Sequence, residues 1–403
     1  MEKQIKIGVY TICRNESKFV RRWLDSMYCG GNGADKAYVL DTGSSDNTVQ
    51  LFKDSVKSLG IPDGWLKFET TTYEKFRFDV ARNDNLNMIP DSDGLVALVQ
   101  VDLDEIMIPD FWSDVRAAIA EHPDFKKILY LYAWNHDNNG NPKRVFWYDK
   151  VHPAKNVHWI HPVHEILMVD DPSRKESYYL NKDKIYLHHH ADNGKSRTFY
   201  LDLLELRAEE SPEDIYGLFY LMREYTFHDA ASLKALSTAV RGYSTILNKN
   251  MQDDMDCLPF FVLAIADIYK NLGIKDDAEY YYKKALEYAP KLRQPYISYA
   301  SFAAYNGKHE LAIELLDDME KNAPTKYSTW YECDYNWTWK PLQIRAVAYC
   351  WAGKYQEAGD LFRKVVGEYL LTDTDKAEAT ANNFYGDYNW LKDYLRNLKR
   401  AKK

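Results

Sequence analysis

The sequence has no run of about 18 apolar residues, the length that a helix needs to cross a bilayer, so we expect no membrane span. The chain passes directly from Met1 into a strand-like pattern, and no signal peptide is expected. Cysteine is scarce. The five cysteines are odd in number and lack the spacing of a metal site. These absences predict a cytoplasmic protein with reduced thiols.

The sequence also lacks a concentration of positive charge. It has 52 lysine and arginine residues against 60 aspartate and glutamate residues, a net charge of −8, and no basic stripe. This balance disfavours sequence-independent binding to nucleic acids. Aromatic residues make up 15% of the chain, but they suit cores, sugar stacking and interfaces equally well. The length of 403 residues predicts two or more domains.

The first half of the chain alternates short apolar runs with amphipathic stretches. This alternation predicts an α/β fold with a doubly wound, mostly parallel sheet. The predicted strands are 5–12, 37–40, 65–71, 95–101, 127–133, 145–148 and 184–190, and the predicted helices are 18–28, 47–58 and 78–88.

The second half of the chain contains an internal repeat. Ala278 and Ala312 occupy equivalent positions 34 residues apart, and a third copy at Ala358 follows an insertion around 330–339. Small residues at helix contacts and glycine at the turns are typical of tetratricopeptide repeats. We therefore predict an all-α repeat domain. The predicted divisions are 1–194 for the α/β domain, 195–255 for a helical connector that includes an atypical pair over 214–248, and 256–403 for the repeats.

An apolar strand over 95–101 is followed at once by Asp102 and Asp104. Open α/β sheets bind ligands at the carboxyl ends of their strands. Two acids at positions i and i+2 of a strand share one side and can converge on a divalent cation, for which Mg²⁺ and Mn²⁺ are the candidates. The alternative is a solvated turn after a strand.

Polar residues also follow the first two predicted strands. In the first loop, Thr11 and Arg14 are candidates to bind a donor, and the Arg14 guanidinium suits a phosphate. In the second loop, Asp41 suits a base or ribose, although residues 41–46 also read as a tight turn with Asp46 capping the next helix. Arg82 lies on a predicted helix, where the alternative is a solvent-exposed polar face.

Four motifs occur in a characteristic order over about 100 residues: Asn-Glu at 15–16, Asp-Thr-Gly-Ser-Ser-Asp-Asn-Thr at 41–48, Ala-Arg-Asn at 81–83 and Asp-Leu-Asp-Glu at 102–105. In this order they resemble the large second family of GT-A glycosyltransferases. Together with the repeats, they are similar to sublancin-type peptide S-glycosyltransferases and their phage-encoded relatives. The resemblance covers residues 3–225 approximately for the catalytic part.

The resemblance implies a metal-dependent, inverting hexosyltransferase that uses a nucleotide-sugar, with UDP-glucose as the expected donor and Mn²⁺ or Mg²⁺ as the cofactor. It assigns Asp41 to the nucleoside and Asp104 to the metal that bridges the diphosphate. It places Asp102 at the ribose or sugar and among the metal ligands. A nitrogen ligand is expected from His189 or His190. The full expected donor-binding set is Thr11, Arg14, Asp41, Arg82, Asp102, Lys195 and Arg197, where Lys195 and Arg197 either close over the diphosphate or cap a helix.

The segment 161–165 resembles a His-Glu element of the same relatives and makes Glu165 the expected general base. Asp137 and Asp149 stay open as alternatives, and so does a structural His-Glu pair. Three tryptophans, Trp134, Trp147 and Trp159, suit a sugar or acceptor platform, although core packing is expected for at least two of them.

Two other classes of protein fit parts of the sequence. One is an interaction scaffold built on the repeats, with a vestigial catalytic domain. The other is a nucleotidyltransferase, which is disfavoured because the loop over 11–16 has no glycine. A peptide or protein acceptor is expected, since solenoid grooves bind extended peptides, while DNA and a glycan stay open. The repeats also suit a homodimer through the aromatic residues Tyr331, Tyr335, Trp337 and Trp339.

Overall fold

The computed structural model describes residues 5–137, 140–192, 199–324, 333–370 and 373–401. The chain forms two compact units that divide after Arg207. Within the described residues, the first unit is an α/β domain and the regular elements of the second are all helices. No helix in these ranges is both long and apolar enough to span a membrane.

The described part of the α/β unit contains eleven strands and four α-helices, followed by helix α5. The strands are β1 (Ile7–Cys13), β2 (Lys36–Asp41), β3 (Leu66–Thr70), β4 (Ala97–Gln100), β5 (Glu105–Met107), β6 (Lys127–His136), β7 (Pro142–Pro153), β8 (Val157–Ile160), β9 (Ile166–Val169), β10 (Ser177–Tyr179) and β11 (Ile185–His189). The helices are α1 (Val20–Tyr28), α2 (Thr48–Ser58), α3 (Phe78–Asn87), α4 (Asp110–Glu121) and α5 (Tyr200–Glu210).

Nine strands form one sheet in the order β3-β2-β1-β4-β7-β6-β11-β5, with β10 paired to β6. The four strands β3, β2, β1 and β4 are parallel. Strand β7 pairs antiparallel with β4 and β6, and β5 pairs antiparallel with β11. The predicted α/β class with a doubly wound sheet is confirmed, and the antiparallel pairs are confined to the side of the sheet beyond β4.

Both faces of the inner parallel strands β1, β2 and β4 are covered. Val9 belongs to a core with Trp23 of α1, whereas the next residue, Tyr10, belongs to a second core with Tyr38 and Trp159 on the opposite face. Successive residues of a strand point to opposite faces, so burial on both faces requires a continuous apolar run. This is why β1, β2 and β4 were recognisable from the sequence.

The sequence did not predict α4 or the short strands β5, β8, β9 and β10. Strands β5 and β10 have only three residues each, which is too few to show a period. Strands β8 and β9 pair only with each other and form a separate two-stranded sheet. Their existence depends on tertiary pairing.

The helical unit consists of consecutive antiparallel helix pairs. Its helices are α6 (Ile215–His228), α7 (Leu233–Asn248), α8 (Leu258–Asn271), α9 (Lys275–Tyr288), α10 (Arg293–Tyr305), α11 (His309–Asn322), α12 (Lys340–Trp351), α13 (Tyr355–Glu368), α14 (Asp373–Ala381) and α15 (Phe384–Ala401). The repeat prediction is confirmed. The repeat alanines 278, 312 and 358 are fully buried, and Gly273, Gly307 and Gly353 turn between paired helices with φ near 80°, as only glycine does without strain.

The division after Arg207 lies beyond the predicted limit of the first domain at residue 194. Arg207 of α5 is almost fully buried, and its guanidinium donates hydrogen bonds to the carbonyl oxygens of Val163 (2.9 Å) and His164 (2.7 Å). The first turns of α5 are therefore part of the α/β unit. The three-part division into 1–194, 195–255 and 256–403 stays a prediction.

The aromatic insertion in the repeats is partly a packing element. Trp339 is 2% exposed and contacts Phe384 edge to face, and the Trp337 ring lies 3.9 Å from the Arg293 guanidinium carbon. Tyr331 lies outside the described residues. A homodimer through this segment stays a prediction.

Candidate active site

The loops that follow β1 and β2 are bound to each other. The Asn15 side chain accepts a hydrogen bond from the backbone N–H of Ser45 at 2.7 Å, and the Asn15 N–H donates to the Ser44 hydroxyl at 2.8 Å. Asn15 adopts a left-handed backbone with φ of 54°, which asparagine tolerates better than most residues. The two loops thus form one connected rim at the carboxyl edge of the sheet.

The Asp41 carboxylate is completely buried at the end of β2. It accepts hydrogen bonds from the backbone N–H groups of Gly43 (3.2 Å) and Ser44 (3.0 Å) and from the Ser44 hydroxyl. The N-cap residue of α2 is Asn47 and not Asp46, and Asn47 makes no side-chain capping bond; Asp46, one residue earlier, accepts from the N–H of Thr48 at 2.9 Å. Asp41 therefore shapes the loop, and its predicted contact with a nucleoside stays a prediction.

The other predicted donor-binding residues of the first loop differ in exposure. Thr11 is fully buried and its hydroxyl donates to the carbonyl oxygen of Ile12 at 3.2 Å, whereas Arg14 is exposed. Lys195 and Arg197 lie outside the described residues.

The acidic motif is a turn and not the end of a strand. β4 ends at Gln100, and the N–H of Glu105 donates to the carbonyl oxygen of Asp102 at 3.1 Å. Because both acids lie beyond the end of β4, the alternation of side chains along a strand does not decide whether Asp102 and Asp104 lie on one side. Their joint binding of a cation stays a prediction. The two carboxylates contact different partners on different elements.

The Asp102 carboxylate is bound to Arg82. Both terminal nitrogens of the Arg82 guanidinium donate to Asp102 at 3.3 Å, and its Nε donates to Glu165. Burial alone would raise the pKa of Asp102, but the charge and hydrogen bonds of Arg82 hold it below its usual value. Arg82 is 6% exposed, so the alternative of a solvent-exposed polar face on this helix is wrong.

The helix α3 is positioned by the residue after Arg82. The Asn83 amide donates to the carbonyl oxygen of Trp159 at 2.9 Å and accepts from its N–H at 2.8 Å, so Asn83 pairs with β8 as a strand neighbour would. This fixes the angle at which Arg82 enters the site.

Asp104 faces His189 across the edge of the sheet. Antiparallel pairing of β11 with β5 sets His189 opposite Glu105, next to Asp104. His189 Nδ1 lies 2.9 Å from the Trp134 carbonyl oxygen, which can only accept, so Nδ1 carries a proton. Its Nε2 lies 3.2 Å from the Asp104 Oδ2. Burial lowers the pKa of His189, but the bond to Asp104 outweighs it and raises that pKa.

The neighbouring histidines have other surroundings. His188 Nδ1 lies 2.9 Å from His136 Nε2. His190 is exposed, and its ring stacks on that of His136 with centroids 5.3 Å apart. Its link to Asp104 is through the backbone, since the His190 N–H donates to the Asp104 carbonyl oxygen at 2.7 Å. The structure therefore brings His189, and not the His190 ring, to the acidic turn.

The Asp104–His189 pair fits a divalent cation. Adjacent ligands of an octahedral Mn²⁺ or Mg²⁺ lie about 2.1 Å from the ion and hence about 3 Å apart. A histidine whose Nδ1–H is held by a backbone carbonyl presents Nε2 as a metal ligand. Within the described ranges, no group of three or more His, Cys, Asp or Glu side chains is arranged to bind a metal. The pair would therefore need further oxygen ligands from a bound molecule.

Glu105 has an unusual protonation equilibrium. It is 2% exposed and accepts from the Asp102 N–H at 2.8 Å. Burial, followed by the charges of Asp102 and Asp104, raises its pKa from 4.5 to about 8. A pKa of about 8 favours the protonated form of Glu105 in the folded state at neutral pH, whereas the ordinary pKa of 4.5 leaves it ionised in the unfolded chain.

We expect Glu105→Gln to flatten the pH dependence of stability. A raised folded-state pKa contributes stability that is complete below the unfolded pKa of 4.5 and lost as the pH rises through about 8. The wild type should lose up to about 1.4 kcal/mol per pH unit from this group in that window, and the uncharged glutamine should not. Urea unfolding between about pH 5 and about pH 9 measures the effect. Glu121→Gln, at an exposed position of α4, is the control, and equal slopes in all three proteins would contradict the assignment.

The three acids considered as general base are all engaged. Asp137 accepts from the N–H (2.8 Å) and the side-chain amide (3.0 Å) of Asn141. Asp149 pairs with Lys127, and this charge outweighs burial and lowers the pKa of Asp149. Glu165 is bound to Arg82, which makes it the one of the three connected to Asp102.

The three tryptophans of the predicted platform lie in three different environments. Trp159 is 2% exposed and donates from its indole N–H to the Tyr10 hydroxyl at 3.1 Å, so it is a core residue. Trp134 is partly buried, and its ring centroid lies 4.7 Å from that of His189. Trp147 is 36% exposed and contacts Tyr179. Trp134 is therefore the tryptophan next to the Asp104–His189 pair.

Lys150 was missed by the sequence analysis. Its ammonium lies 4.5 Å from the Trp159 ring centroid and 5.1 Å from that of Tyr148. Burial lowers its pKa, while the charges of Asp149 and Glu165 oppose that shift. Lys150 belongs to no motif, and its position follows from the pairing of β7 with β4, which no local pattern indicated.

Comparisons with known proteins give weak structural similarities. No family model matches the chain, and a search of curated proteins found no match. A 1–349 fragment of S. aureus TarS aligns at 14% identity over 70% of this chain and 92% of the fragment, with a TM-score of 0.42. A tetratricopeptide repeat protein of Thermus thermophilus aligns at 15% identity over 45% of this chain and 87% of its own, with a TM-score of 0.33.

A third structure is the glucosyl-3-phosphoglycerate synthase of Mycobacterium tuberculosis, in complex with Mg²⁺ and uridine diphosphate. It aligns at 18% identity over 32% of this chain and 44% of its own, with a TM-score of 0.25. Similarities of this size do not define a function. The chain itself defines the class: an α/β domain with an acidic, histidine-containing edge, followed by tetratricopeptide-like repeats.

Proposed function

We propose that the chain is a metal-dependent glycosyltransferase that uses a nucleotide-sugar donor. The main support for this proposal is the pair formed by Asp104 Oδ2 and His189 Nε2, which lie 3.2 Å apart at the carboxyl edge of the sheet. This is the edge at which doubly wound sheets bind their ligands. The rim formed by the loops after β1 and β2 lies at the same edge, as expected for a site that holds a nucleoside.

Asp104 and His189 would hold Mn²⁺ or Mg²⁺, with Asp102 beside them in the same turn. When bound, the cation would neutralise charge on the diphosphate that leaves during glycosyl transfer. Because Nδ1–H of His189 is held by the Trp134 carbonyl oxygen, Nε2 is oriented before any ligand arrives. His190 is the less suitable ligand, since its ring packs on His136.

The other residues have roles that follow from their contacts. Arg82 orients Asp102, which we place at the ribose or sugar of the donor. Glu165 is the proposed general base for the acceptor, and its bond to Arg82 keeps it close to Asp102. Asp41 and the loop that it stabilises are placed at the nucleoside. Thr11, Arg14, Lys195 and Arg197 complete the proposed donor site.

The stereochemistry, the donor sugar and the acceptor are inferred from the sequence motifs. We propose inverting transfer of a hexose, glucose from UDP-glucose, to a peptide or protein acceptor in the cytoplasm. Tetratricopeptide-like repeats supply the concave surface that extended polypeptides bind. DNA and glycan acceptors are the alternatives that an acceptor screen would separate.

Thermal unfolding with a panel of nucleotide-sugars tests the proposal. We expect one sugar nucleotide to raise the melting temperature in the presence of Mn²⁺ and to lose this effect in EDTA. A ligand at 100 times its dissociation constant adds about 2.7 kcal/mol of stability, which is readily detected. The control is the same panel with the Asp104→Asn variant. No response to any donor would favour the alternative function, a repeat-based scaffold with a vestigial catalytic domain.

A further inference from the structure

Arg22 of α1 has a guanidinium group that is not satisfied by the protein. Its Nε and Nη2 atoms are buried and have no hydrogen-bond partner in the described part of the chain. Buried donors without a partner are rare in folded proteins, because losing their bonds to water is costly. Arg22 belongs to none of the sequence motifs considered above.

Arg22 lies at the same edge of the sheet as the candidate active site. Burial lowers the pKa of its guanidinium, and the charge of Asp104 opposes that shift. The same guanidinium interacts electrostatically with His190. The geometry agrees with this placement, because the Lys18 ammonium, four residues before Arg22, pairs with Asp192 at 2.7 Å and so ties the start of α1 to the end of β11, the strand that carries His189.

The orientation of Arg22 is maintained by packing. Its guanidinium carbon lies 4.5 Å from the ring centroid of the buried Phe19, at the start of α1. An arginine stacked on an aromatic ring loses little further conformational entropy when it binds an anion. Arg22 is thus preorganised, although no side chain of the described residues accepts from its Nε or Nη2.

The charge balance of the edge indicates what Arg22 binds. Arg82 is neutralised by Asp102 and Glu165, and Lys18 is neutralised by Asp192. Arg22 forms no such ion pair within the described residues. Its planar group of N–H donors matches the oxygens of a phosphate, which accept two hydrogen bonds in parallel.

We propose that Arg22 binds the diphosphate of the nucleotide-sugar donor beside the Asp104–His189 pair. The inference rests on the proposed function and assigns to it a residue outside the motifs. The ligand would supply the missing hydrogen-bond acceptors for Nε and Nη2. Arg22 would contribute a fixed positive charge to the leaving group in addition to that of the metal.

Binding measurements on Arg22→Met test the proposal. The probes are UDP, inorganic pyrophosphate and uridine, each measured by calorimetry with Mn²⁺. We expect the dissociation constants of UDP and pyrophosphate to rise about 10- to 100-fold, as for the loss of charged hydrogen bonds, and that of uridine to stay the same. Arg21→Met is the matched control, because the neighbouring Arg21 is exposed and donates to the Ser58 hydroxyl at 2.7 Å.

Stability separates a binding role from a structural one. Methionine keeps the contact with Phe19 and removes the unsatisfied donors, so the ligand-free melting temperature of Arg22→Met should equal or exceed that of the wild type. A lower melting temperature with unchanged UDP affinity would assign Arg22 to the fold. Arg22→Lys, which keeps the charge but not the paired donors, should bind UDP with intermediate affinity and is the second variant if Arg22→Met does not fold.

The outcomes distinguish this inference from the proposed function. If the wild type binds neither UDP nor pyrophosphate, both are overturned. If the wild type binds them and Arg22→Met binds them equally well, the role of Arg22 is overturned and the proposed function stands.

Discussion

We expect Asp104→Asn to lower metal-dependent glycosyl transfer by about a thousandfold or more while the fold stays intact. The carboxylate is the anionic partner of His189 Nε2, and a metal ion contributes several kcal/mol of charge stabilisation to a leaving group. Asparagine has the same shape but no charge, so the turn from Asp102 to Glu105 is preserved. Donor hydrolysis and transfer with added Mn²⁺ measure the loss, and the melting temperature reports the fold.

The Asp104 experiment has a control on the surface. Asp91 is paired with Lys155 and its side chain is 80% exposed, so Asp91→Asn should retain full activity. Mn²⁺ affinity in the presence of UDP should fall in Asp104→Asn and stay unchanged in Asp91→Asn. Wild-type affinity for Mn²⁺ in Asp104→Asn would remove Asp104 from the metal site.

The second large effect concerns Arg82, and it is an effect on stability. Arg82→Met leaves Asp102 and Glu165 without the cation that they share, and the side chain of Glu165 is only 10% exposed. Breaking a buried ion pair by removing one partner costs about 3–5 kcal/mol. We expect a loss of about 3 kcal/mol, because Asp102 is 37% exposed and partly hydrated. In a unit of this size the loss corresponds to a drop of about 6–12 °C in melting temperature.

A second substitution separates the ion pair from general packing. In Arg82→Met with Glu165→Gln, one of the two orphaned carboxylates is gone, so part of the lost stability should return. Lowering the pH should also narrow the gap between Arg82→Met and the wild type, because Arg82 no longer depresses the pKa of Asp102 and the carboxylate can take up a proton. Additive losses in the double variant would mean that Arg82 and Glu165 act independently.

Much of the fold was predictable because it follows local patterns. The parallel strands β1, β2 and β4 are buried on both faces and therefore appear as apolar runs. The repeats were predictable because Ala278 and Ala312 recur at a fixed spacing and pack where helices approach closely. Short elements were not predictable, since β5 and β10 are stabilised by their neighbours alone.

The candidate site was predicted in its composition but not in its pairings. Of the motif residues, Asp41 ends β2, Arg82 lies on α3, and Asp102 and Asp104 lie in the turn after β4. The two acids were expected to share one side of a strand, but the strand ends at Gln100, and in the turn after it Asp102 contacts Arg82 while Asp104 contacts His189. A strand rule cannot predict the direction of side chains in a turn.

The sequence by itself determined the alternation of strands and helices, the position of the acidic motif after β4 and the period of the helical repeats, because each depends on residues close together in the chain. Tertiary structure decided which histidine meets Asp104, since only the antiparallel pairing of β11 with β5 brings His189 there. It also decided that Arg82 joins Asp102 to Glu165, 63 residues further along the chain. Contacts of this kind form when distant segments pack, and no local pattern encodes them.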